Sequence, residues 1–223
     1  MRPRAVIFDF NGTISDDEPL LDRLFREVLA PEGVDLTSDT YFAELSGLSD
    51  PEIVVRALEI GGVEPTLERR ERVLHAKIDR YKDEVRRELT VDDGAAGFVR
   101  GVAARVPIGI ASGAAREEVE LVLELAGIGD LFEAIVCIDD VEQGKPDPSG
   151  YLLAMAQLNE ERSLHESIVA GDVLAIEDSL VGVQAAHAAG LRCAVVGEDD
   201  RAQGVADLVL EELSPATAAS LFR

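Results

Sequence analysis

Residues capable of nucleophilic, acid–base and metal-binding chemistry follow apolar segments at four places in the chain. They are Asp9-Phe10-Asn11-Gly12-Thr13, Ser112-Gly113, Lys145-Pro146 and Glu177-Asp178-Ser179. Together they offer a carboxylate nucleophile, a hydroxyl donor, a cation and a carboxylate pair. Oxygen ligands with no surrounding histidine or cysteine cluster favour Mg²⁺ over zinc. Because phosphoryl transfer depends mainly on positioning and on neutralising phosphate oxygens, these residue types indicate that chemistry.

Short apolar runs predict the strands that would position these residues. The runs lie at 4–10, 107–112, 134–139, 173–178 and 192–197, with a short edge strand at 208–210. Helical patterns alternate with them at Gly94–Ala104, Ala115–Ala126, Ser149–Gln157 and Ser179–Ala189. This alternation predicts an α/β fold with a doubly wound parallel sheet. Ligands of such sheets bind beyond the carboxyl ends of the strands. The four segments with chemically active residues lie there, although the Lys145 segment follows a loop and not the strand directly.

The segment at 15–90 breaks this alternation. Its helical patterns lie near 17–30, 37–46, 50–60 and 66–88, and it contains no convincing strand. An all-helical segment between the first and second strands predicts an inserted cap domain. The predicted domains are therefore an α/β core at 1–14 and 91–223 and a helical cap at 15–90.

Composition excludes several classes of function. The chain has 223 residues and a formal net charge of −23, from 44 acidic and 21 basic residues. This charge would repel nucleic acid, so no nucleic-acid partner is expected. No apolar run is long enough to span a bilayer, and residues 1–4 lack signal-peptide architecture. We expect a cytoplasmic monomer or weak homo-oligomer that acts on a small molecule.

The cysteines and histidines are expected to play no part in the chemistry. Cys137 and Cys193 each lie inside an apolar run, which predicts buried thiols and neither a disulfide framework nor a zinc site. The histidines, His75, His165 and His187, are interpreted as surface or core residues.

The chain resembles the haloacid dehalogenase (HAD) superfamily, and within it the β-phosphoglucomutase and phosphatase branch with a helical cap. The matching segments are FDFNGTISDDEP, IASGA, GKPDP and IEDSLVGVQAAHAAG, in the expected order and spacing. The resemblance covers nearly the whole chain. It implies Mg²⁺-dependent hydrolysis of a small phosphorylated metabolite through an aspartyl-phosphate.

The same resemblance implies a role for each matching residue. Asp9 would attack phosphorus and also bind Mg²⁺. The backbone carbonyl of Asn11 would be a second metal ligand. Asp178 would bind the metal, and Glu177 would bind it directly or through water.

The phosphate would be held by other matching residues. The hydroxyl of Ser112 and the amide of Gly113 would bind phosphate oxygens. Lys145 would balance the charges of Asp9 and of the phosphoryl group, and Thr13 matches the small hydroxyl residue that follows Gly12 in the family.

Asn11 departs from the family pattern, which has an aspartate as the acid–base residue at this position. An amide cannot transfer that proton, and general acid–base catalysis is typically worth about 10²–10⁴-fold. Three explanations stay open. Asn11 is an engineered change; or it is natural, and the substrate or one of Asp16, Asp17 and Glu18 supplies the proton; or the protein is a slow or non-catalytic relative.

The cap contains a second departure. Residues 44–52 align with a loop that in β-phosphoglucomutases carries an arginine for the non-reacting phosphate, and Asp50 falls at that position. Asp50 would repel a second phosphate, so a phosphatase is favoured over the alternatives of a sugar phosphomutase and a non-catalytic phosphate-binding protein. Lys77, near Tyr81 in the predicted cap, is the cap cation considered for substrate binding, and a solvated helical lysine is the preferred interpretation.

Overall fold

The computed structural model describes residues 2–160 and 167–222, so His165 lies outside the described residues. Its strands are β1 (Ala5–Phe8), β2 (Ile108–Ala111), β3 (Ala134–Val136), β4 (Val173–Glu177), β5 (Arg192–Val196) and β6 (Leu208–Leu210). They form a parallel sheet in the order β3-β2-β1-β4-β5-β6. The predicted doubly wound parallel sheet is confirmed, including the edge strand.

Eight helices lie close to their predicted positions, and two short helices near the end of the chain were not predicted. In chain order, the helices are α1 (Glu18–Leu29), α2 (Ser38–Glu44), α3 (Asp50–Ile60), α4 (Leu67–Arg87), α5 (Asp93–Ala103), α6 (Arg116–Leu125), α7 (Ser149–Asn159), α8 (Leu180–Ala188), α9 (Asp200–Gln203) and α10 (Pro215–Ser220). Short 3-10 turns lie at Ala30–Glu32, Gly129–Leu131, Ile138–Asp140 and Ala170–Asp172.

Two strands end two or three residues earlier than predicted, and local hydrogen bonds give the reason. β1 stops at Phe8 because the Phe10 carbonyl accepts from the N–H groups of Ile14 (2.9 Å) and Ser15 (3.0 Å), which closes a turn. β3 stops at Val136 because the Cys137 N–H donates to the Asp140 carboxylate at 2.8 Å. Both strand ends therefore become loops at the carboxyl edge of the sheet.

Alternate residues of β1 pack on opposite faces of the sheet, as the period of two requires. Val6 and Phe8 belong to a core that they share with the inserted helices and also with α5 and α6. Ala5 and Ile7 belong to a second core shared with α7 and α8. All four side chains are fully buried, as expected for a parallel sheet covered on both faces.

The helices α1 to α4 lie between β1 and β2 in the chain. Thr37 begins α2 by accepting from the Thr40 N–H (3.2 Å), and Thr66 begins α4 in the same way. Such side-chain caps satisfy backbone donors that the first turn leaves unpaired. α4 packs against α1 and α3, and also against α6 of the α/β part. The division into two domains at 14/15 and 90/91 stays a prediction.

Cys137 and Cys193 are both buried and free, as predicted. His75 and His187 are exposed. Within the described ranges, no helix combines the length and apolar character needed to cross a membrane.

Candidate active site

The ends of β1 and β4 bring two predicted segments side by side. Phe8 is in register with Ile176, and the Asp9 N–H donates to the Ile176 carbonyl at 2.8 Å. Asp9 and Glu177 are therefore neighbours across adjacent strands. A cavity opens above them, lined by Asp9, Asn11, Glu18, Leu21, Tyr41, Gly47, Leu48, Ser49, Asp50, Ile53, Gly113, Lys145, Asp178 and Ser179.

Gly12 shapes the turn that follows Asp9. Its φ of 71° lies in the left-handed region that favours glycine. A Cβ at this position would lie 2.1 Å from Oδ2 of Asp178. The Gly12 N–H also donates to the Ser15 carbonyl at 2.8 Å. Only glycine therefore lets this turn lie against the second carboxylate of the β4 end.

Lys145 lies between the carboxylates of Asp9 and Glu177. Its ammonium bonds to Oδ1 of Asp9 and to Oε1 of Glu177, the latter at 2.7 Å. Burial lowers the pKa of Lys145, but the charges of Asp9 and Glu177 outweigh it and hold that pKa above its ordinary value. Lys145 is therefore a permanent cation beside Asp9.

Glu177 is fully buried, and Tyr151 donates to its Oε1 at 2.6 Å. Burial and the charge of Asp9 together raise the pKa of Glu177 to about 7. Lys145 and Tyr151 oppose this increase. Tyr151 is a site residue that the sequence reasoning missed, since nothing in its local pattern distinguishes it from a core tyrosine of α7.

Asp9, Glu177 and Asp178 form a cluster of carboxylates. One oxygen of each lies within 4.8 Å of the others. Burial raises the pKa of Asp178 well above its ordinary value, and the charges of Asp9 and Glu177 raise it further. Three carboxyl groups share one bonded cation, Lys145, and a divalent cation would relieve the repulsion that raises these pKa values. An all-oxygen donor set of this kind fits Mg²⁺.

The residues predicted to bind phosphate lie at different places in the structure. Gly113 lines the main cavity, while Ser112 lies at an adjoining pocket that also contains Gly113 and Lys145. The Ser112 hydroxyl accepts from the Ala114 N–H at 3.0 Å. Thr13 is buried outside the cavity lining, and its hydroxyl has no hydrogen-bond partner among the described residues.

The Asn11 side chain points to a buried carboxylate. Its amide nitrogen donates to Oδ2 of Asp17 at 2.9 Å, and the hydroxyls of Ser15 and Tyr81 donate to the same oxygen. Asp17 is fully buried, and burial raises its pKa to about 6 against the lowering effect of these hydrogen bonds. An aspartate at position 11 would replace the donor with a second carboxylate.

Lys77 corrects the expectation of a solvated helical lysine. Its side chain is 0% exposed, and its ammonium donates at 2.7 Å to both Asp50 and Glu118. The rings of Phe25 and Tyr81 lie 5.4 and 5.1 Å from the same nitrogen. A signal was present in the sequence: α4 buries residues four apart, at Val73, Lys77, Tyr81 and Val85.

Asp50 lines the cavity but is not a free negative charge. Its Oδ2 is bonded to the Lys77 ammonium, and its N–H donates to the Gly113 carbonyl at 3.2 Å. The sequence-based expectation that Asp50 repels a second phosphate is therefore weakened, because Lys77 offsets its charge. Lys77 itself does not reach the cavity lining.

Comparison with known proteins places these features in a family. The haloacid dehalogenase-like hydrolase family matches residues 3–190. A phosphorylated carbohydrates phosphatase of Thermotoga maritima is 32% identical over 190 residues, which cover 84% of this chain and 82% of that protein. The β-phosphoglucomutase of Bacillus subtilis is 31% identical over 221 residues, covering 96% and 92%.

A solved structure shows the same fold. The crystal structure of CbbY from Rhodobacter sphaeroides in complex with phosphate has a TM-score of 0.81 and 26% identity, and the match covers 95% of each chain. Sequence and fold thus agree, and the resemblance drawn from four segments is confirmed. The chain belongs to the haloacid dehalogenase-like hydrolase family.

Proposed function

We propose that the protein is a Mg²⁺-dependent phosphatase that hydrolyses a small phosphate monoester through an aspartyl-phosphate at Asp9. The observation that carries this proposal is the arrangement at the cavity floor. Asp9 faces the cavity beside the Lys145 ammonium and next to Glu177 and Asp178. A carboxylate nucleophile, a fixed cation and a carboxylate cluster are the groups that phosphoryl transfer through a covalent intermediate needs.

Each residue of this arrangement has a part in the proposed reaction. A carboxylate oxygen of Asp9 attacks phosphorus, and Lys145 balances the negative charge that collects there. The Gly113 amide and the Ser112 hydroxyl bind phosphate oxygens at the adjoining wall. Asp9, Asp178 and the Asn11 carbonyl would hold Mg²⁺, with Glu177 bound directly or through water. The metal would supply further neutralisation of the phosphate oxygens.

The size of the cavity supports a cap role for residues 15–90. Its volume is about 40 Å³, whereas pockets for small molecules commonly span about 300–1,000 Å³. Leu21, Tyr41 and Ile53 of the inserted helices line its upper wall. Entry of a phosphorylated metabolite therefore requires the helical insertion to move away from the sheet.

The cavity wall also bears on the class of substrate. Among the described residues that line it, Lys145 is the one lysine or arginine, and it lies at the floor. The helical wall offers apolar side chains together with Glu18 and Asp50. We infer a leaving group without a second phosphate, such as a neutral alcohol or polyol. We also propose that the protein is a cytoplasmic monomer or weak homo-oligomer.

A panel of phosphate monoesters with and without Mg²⁺ tests the proposal. Phosphate release by the wild type, abolished in Asp9→Asn and by chelation of the metal, is the expected result. The relationship to β-phosphoglucomutase keeps a mutase as the second candidate. Conversion of a hexose 1-phosphate to its 6-phosphate without phosphate release would favour that candidate. Binding of esters without either reaction would favour the non-catalytic alternative.

A further inference from the structure

The turn after β1 returns another carboxylate to the cavity. Asn11 and Ser15 form a β-bridge, and α1 begins three residues later at Glu18. Glu18 lines the same cavity as Asp9, Asn11 and Asp178. The tight reversal at Gly12 thus places the first residue of α1 beside the candidate nucleophile.

The three carboxylates that follow Asn11 lie in different surroundings. Asp16 is exposed and lines a separate depression with Arg23 and Glu84. Asp17 is fully buried and engaged with Asn11 and its other donors. Glu18 is half-buried and accepts from the Ser46 hydroxyl at 3.1 Å. Of the three, Glu18 alone reaches the cavity.

Glu18 also lacks a cationic partner that would fix its charge. Within residues 2–160 and 167–222, no lysine or arginine nitrogen lies within 4.0 Å of its carboxylate. Asp9 and Asp50, which share the cavity, are each bonded to a lysine. Asp178, the other carboxyl of the lining, belongs to the candidate metal cluster. The carboxyl of Glu18 is therefore the group at this cavity best able to exchange a proton with a bound ligand.

We propose that Glu18 is the proton donor and acceptor of the reaction, taking the part that Asn11 cannot perform. This inference rests on the proposed phosphatase function. In the first step Asp9 forms a bond to phosphorus, the ester P–O bond breaks, and the Glu18 carboxyl gives its proton to the leaving alkoxide. In the second step the Glu18 carboxylate takes a proton from a water molecule, and the oxygen of that water attacks phosphorus. The P–O bond to Asp9 then breaks, releasing phosphate.

The electrostatic surroundings are consistent with both steps. Burial, together with the charges of Asp17 and Asp9, raises the pKa of Glu18 to about 7 against the lowering effect of hydrogen bonds from Ser46 and Tyr41. The charge of Asp178 faces it from the end of β4. An acid–base group is most effective when its pKa lies near the working pH.

Glu18→Gln tests the inference, with Asp16→Asn as the matched control in the same turn. On the best alkyl monophosphate of the panel, Glu18→Gln should lower kcat by about 10²–10⁴-fold. On p-nitrophenyl phosphate the leaving group needs no proton, so the first step should persist while the second slows. Phosphorylated Asp9 should then accumulate, detected by intact mass after acid quenching. The wild type and Asp16→Asn should not accumulate it.

The outcomes distinguish a failure of the Glu18 role from a failure of the proposed phosphatase function. Unchanged turnover of both esters in Glu18→Gln, with no phosphoprotein, would overturn the role of Glu18 alone. Absence of phosphate release and of phosphoprotein in the wild type would overturn the phosphatase proposal itself, and the role of Glu18 with it. Should Glu18→Gln not fold, Glu18→Asp is the second variant, because it retains the carboxyl group. Its turnover of p-nitrophenyl phosphate should still rise with pH near neutrality. A flat profile in both the wild type and Glu18→Asp would contradict the inference.

Discussion

Lys145 and Lys77 have closely similar surroundings. Each ammonium bonds to two carboxylates, and each lies close to a tyrosine ring, Tyr151 at 5.5 Å and Tyr81 at 5.1 Å. The two clusters differ in access and in charge. The Lys145 side chain is 12% exposed at the cavity and has Asp178 nearby as a further carboxylate, whereas Lys77 is 0% exposed. A lysine–carboxylate cluster becomes a candidate reaction site where it opens to a ligand and retains negative charge for a metal.

The two clusters also join different parts of the chain. Asp9 follows β1, Glu177 ends β4, and Lys145 lies in the loop after β3, so all three belong to the α/β part of the chain. Lys77 and Asp50 belong to α4 and α3 of the insertion, while Glu118 belongs to α6 of the α/β part. Moving α4 away from α6 would separate Lys77 from Glu118. The second cluster therefore holds the insertion against the sheet.

The largest effect is expected where the first cluster loses its nucleophile. Asp9→Asn should lower turnover by at least about 10⁴-fold and abolish the phosphoprotein, as for other nucleophiles of covalent catalysis. It should also stabilise the metal-free protein, because the charge of Asp9 raises the pKa values of Glu177 and Asp178. Phosphate release and urea unfolding in EDTA measure the two effects. Retention of more than about 1% of the activity would contradict the assignment.

Matched substitutions of the two lysines test whether the clusters differ in their effects on stability and on turnover. Lys77→Met should lower the free energy of unfolding by about 3–5 kcal/mol, because Asp50 and Glu118 would stay buried without their cation. Lys145→Met should lower the free energy of unfolding less, since Asp9 faces a cavity that water or Mg²⁺ can enter. It should instead lower kcat by about 10²–10³-fold, the usual effect of losing one charge-stabilising group. Equal losses of stability in urea titrations would remove the distinction.

Mg²⁺ should stabilise the protein through the Lys145 cluster and not through the Lys77 cluster. At a concentration of one hundred times its Kd, a ligand stabilises a folded protein by about 2.7 kcal/mol. We expect this gain in wild type and in Glu118→Gln, and its loss in Asp178→Asn. Urea midpoints in MgCl₂ and in EDTA give the measurement, independently of any activity. A full Mg²⁺ effect in Asp178→Asn would exclude Asp178 from the ligands.

The sequence predicted the Lys145 cluster much better than the Lys77 cluster, and the reason is physical. Asp9 and Asp178 directly follow apolar strands and Glu177 ends one, and the strand ends of a parallel sheet converge at one edge. The order of the motifs was therefore enough to bring them together. The strand and helix positions were predicted within a few residues for the same reason, because apolar periodicity records burial against the sheet.

The Lys77 cluster depends on tertiary packing that local patterns record only in part. Asp50, Lys77 and Glu118 come from three helices separated in sequence, and each helix alone reads as having a solvated charge at that position. Only the spacing of Val73, Lys77, Tyr81 and Val85 placed Lys77 on a buried face. The hydrogen bond between Asn11 and Asp17 was hidden in the same way, since it follows from a turn geometry set by Gly12.

The smallest effect concerns the pH dependence of the Lys77 cluster. Burial raises the pKa of Glu118 from 4.5 to about 8, against the lowering effect of Lys77 and with the charge of Asp50 adding to it. Between these two values the folded protein holds a proton that the unfolded chain has released. The contribution of Glu118 to stability is thus full below pH 4.5 and is lost as the pH rises through about 8.

Glu118→Gln should therefore lose less stability than wild type as the pH rises from 5 to 8.5, because its amide never ionises while still accepting from Lys77. The dependence should not vanish, since burial also raises the pKa values of Asp17 and Glu177. Glu117→Gln is the matched control: Glu117 precedes Glu118 on α6 but is 55% exposed and pairs with Lys82. Urea unfolding at a series of pH values measures all three proteins. If Glu117→Gln flattened the curve as much as Glu118→Gln, the loss of one surface charge would explain the result, and the buried carboxyl of Glu118 would have no special part in holding the insertion to the sheet.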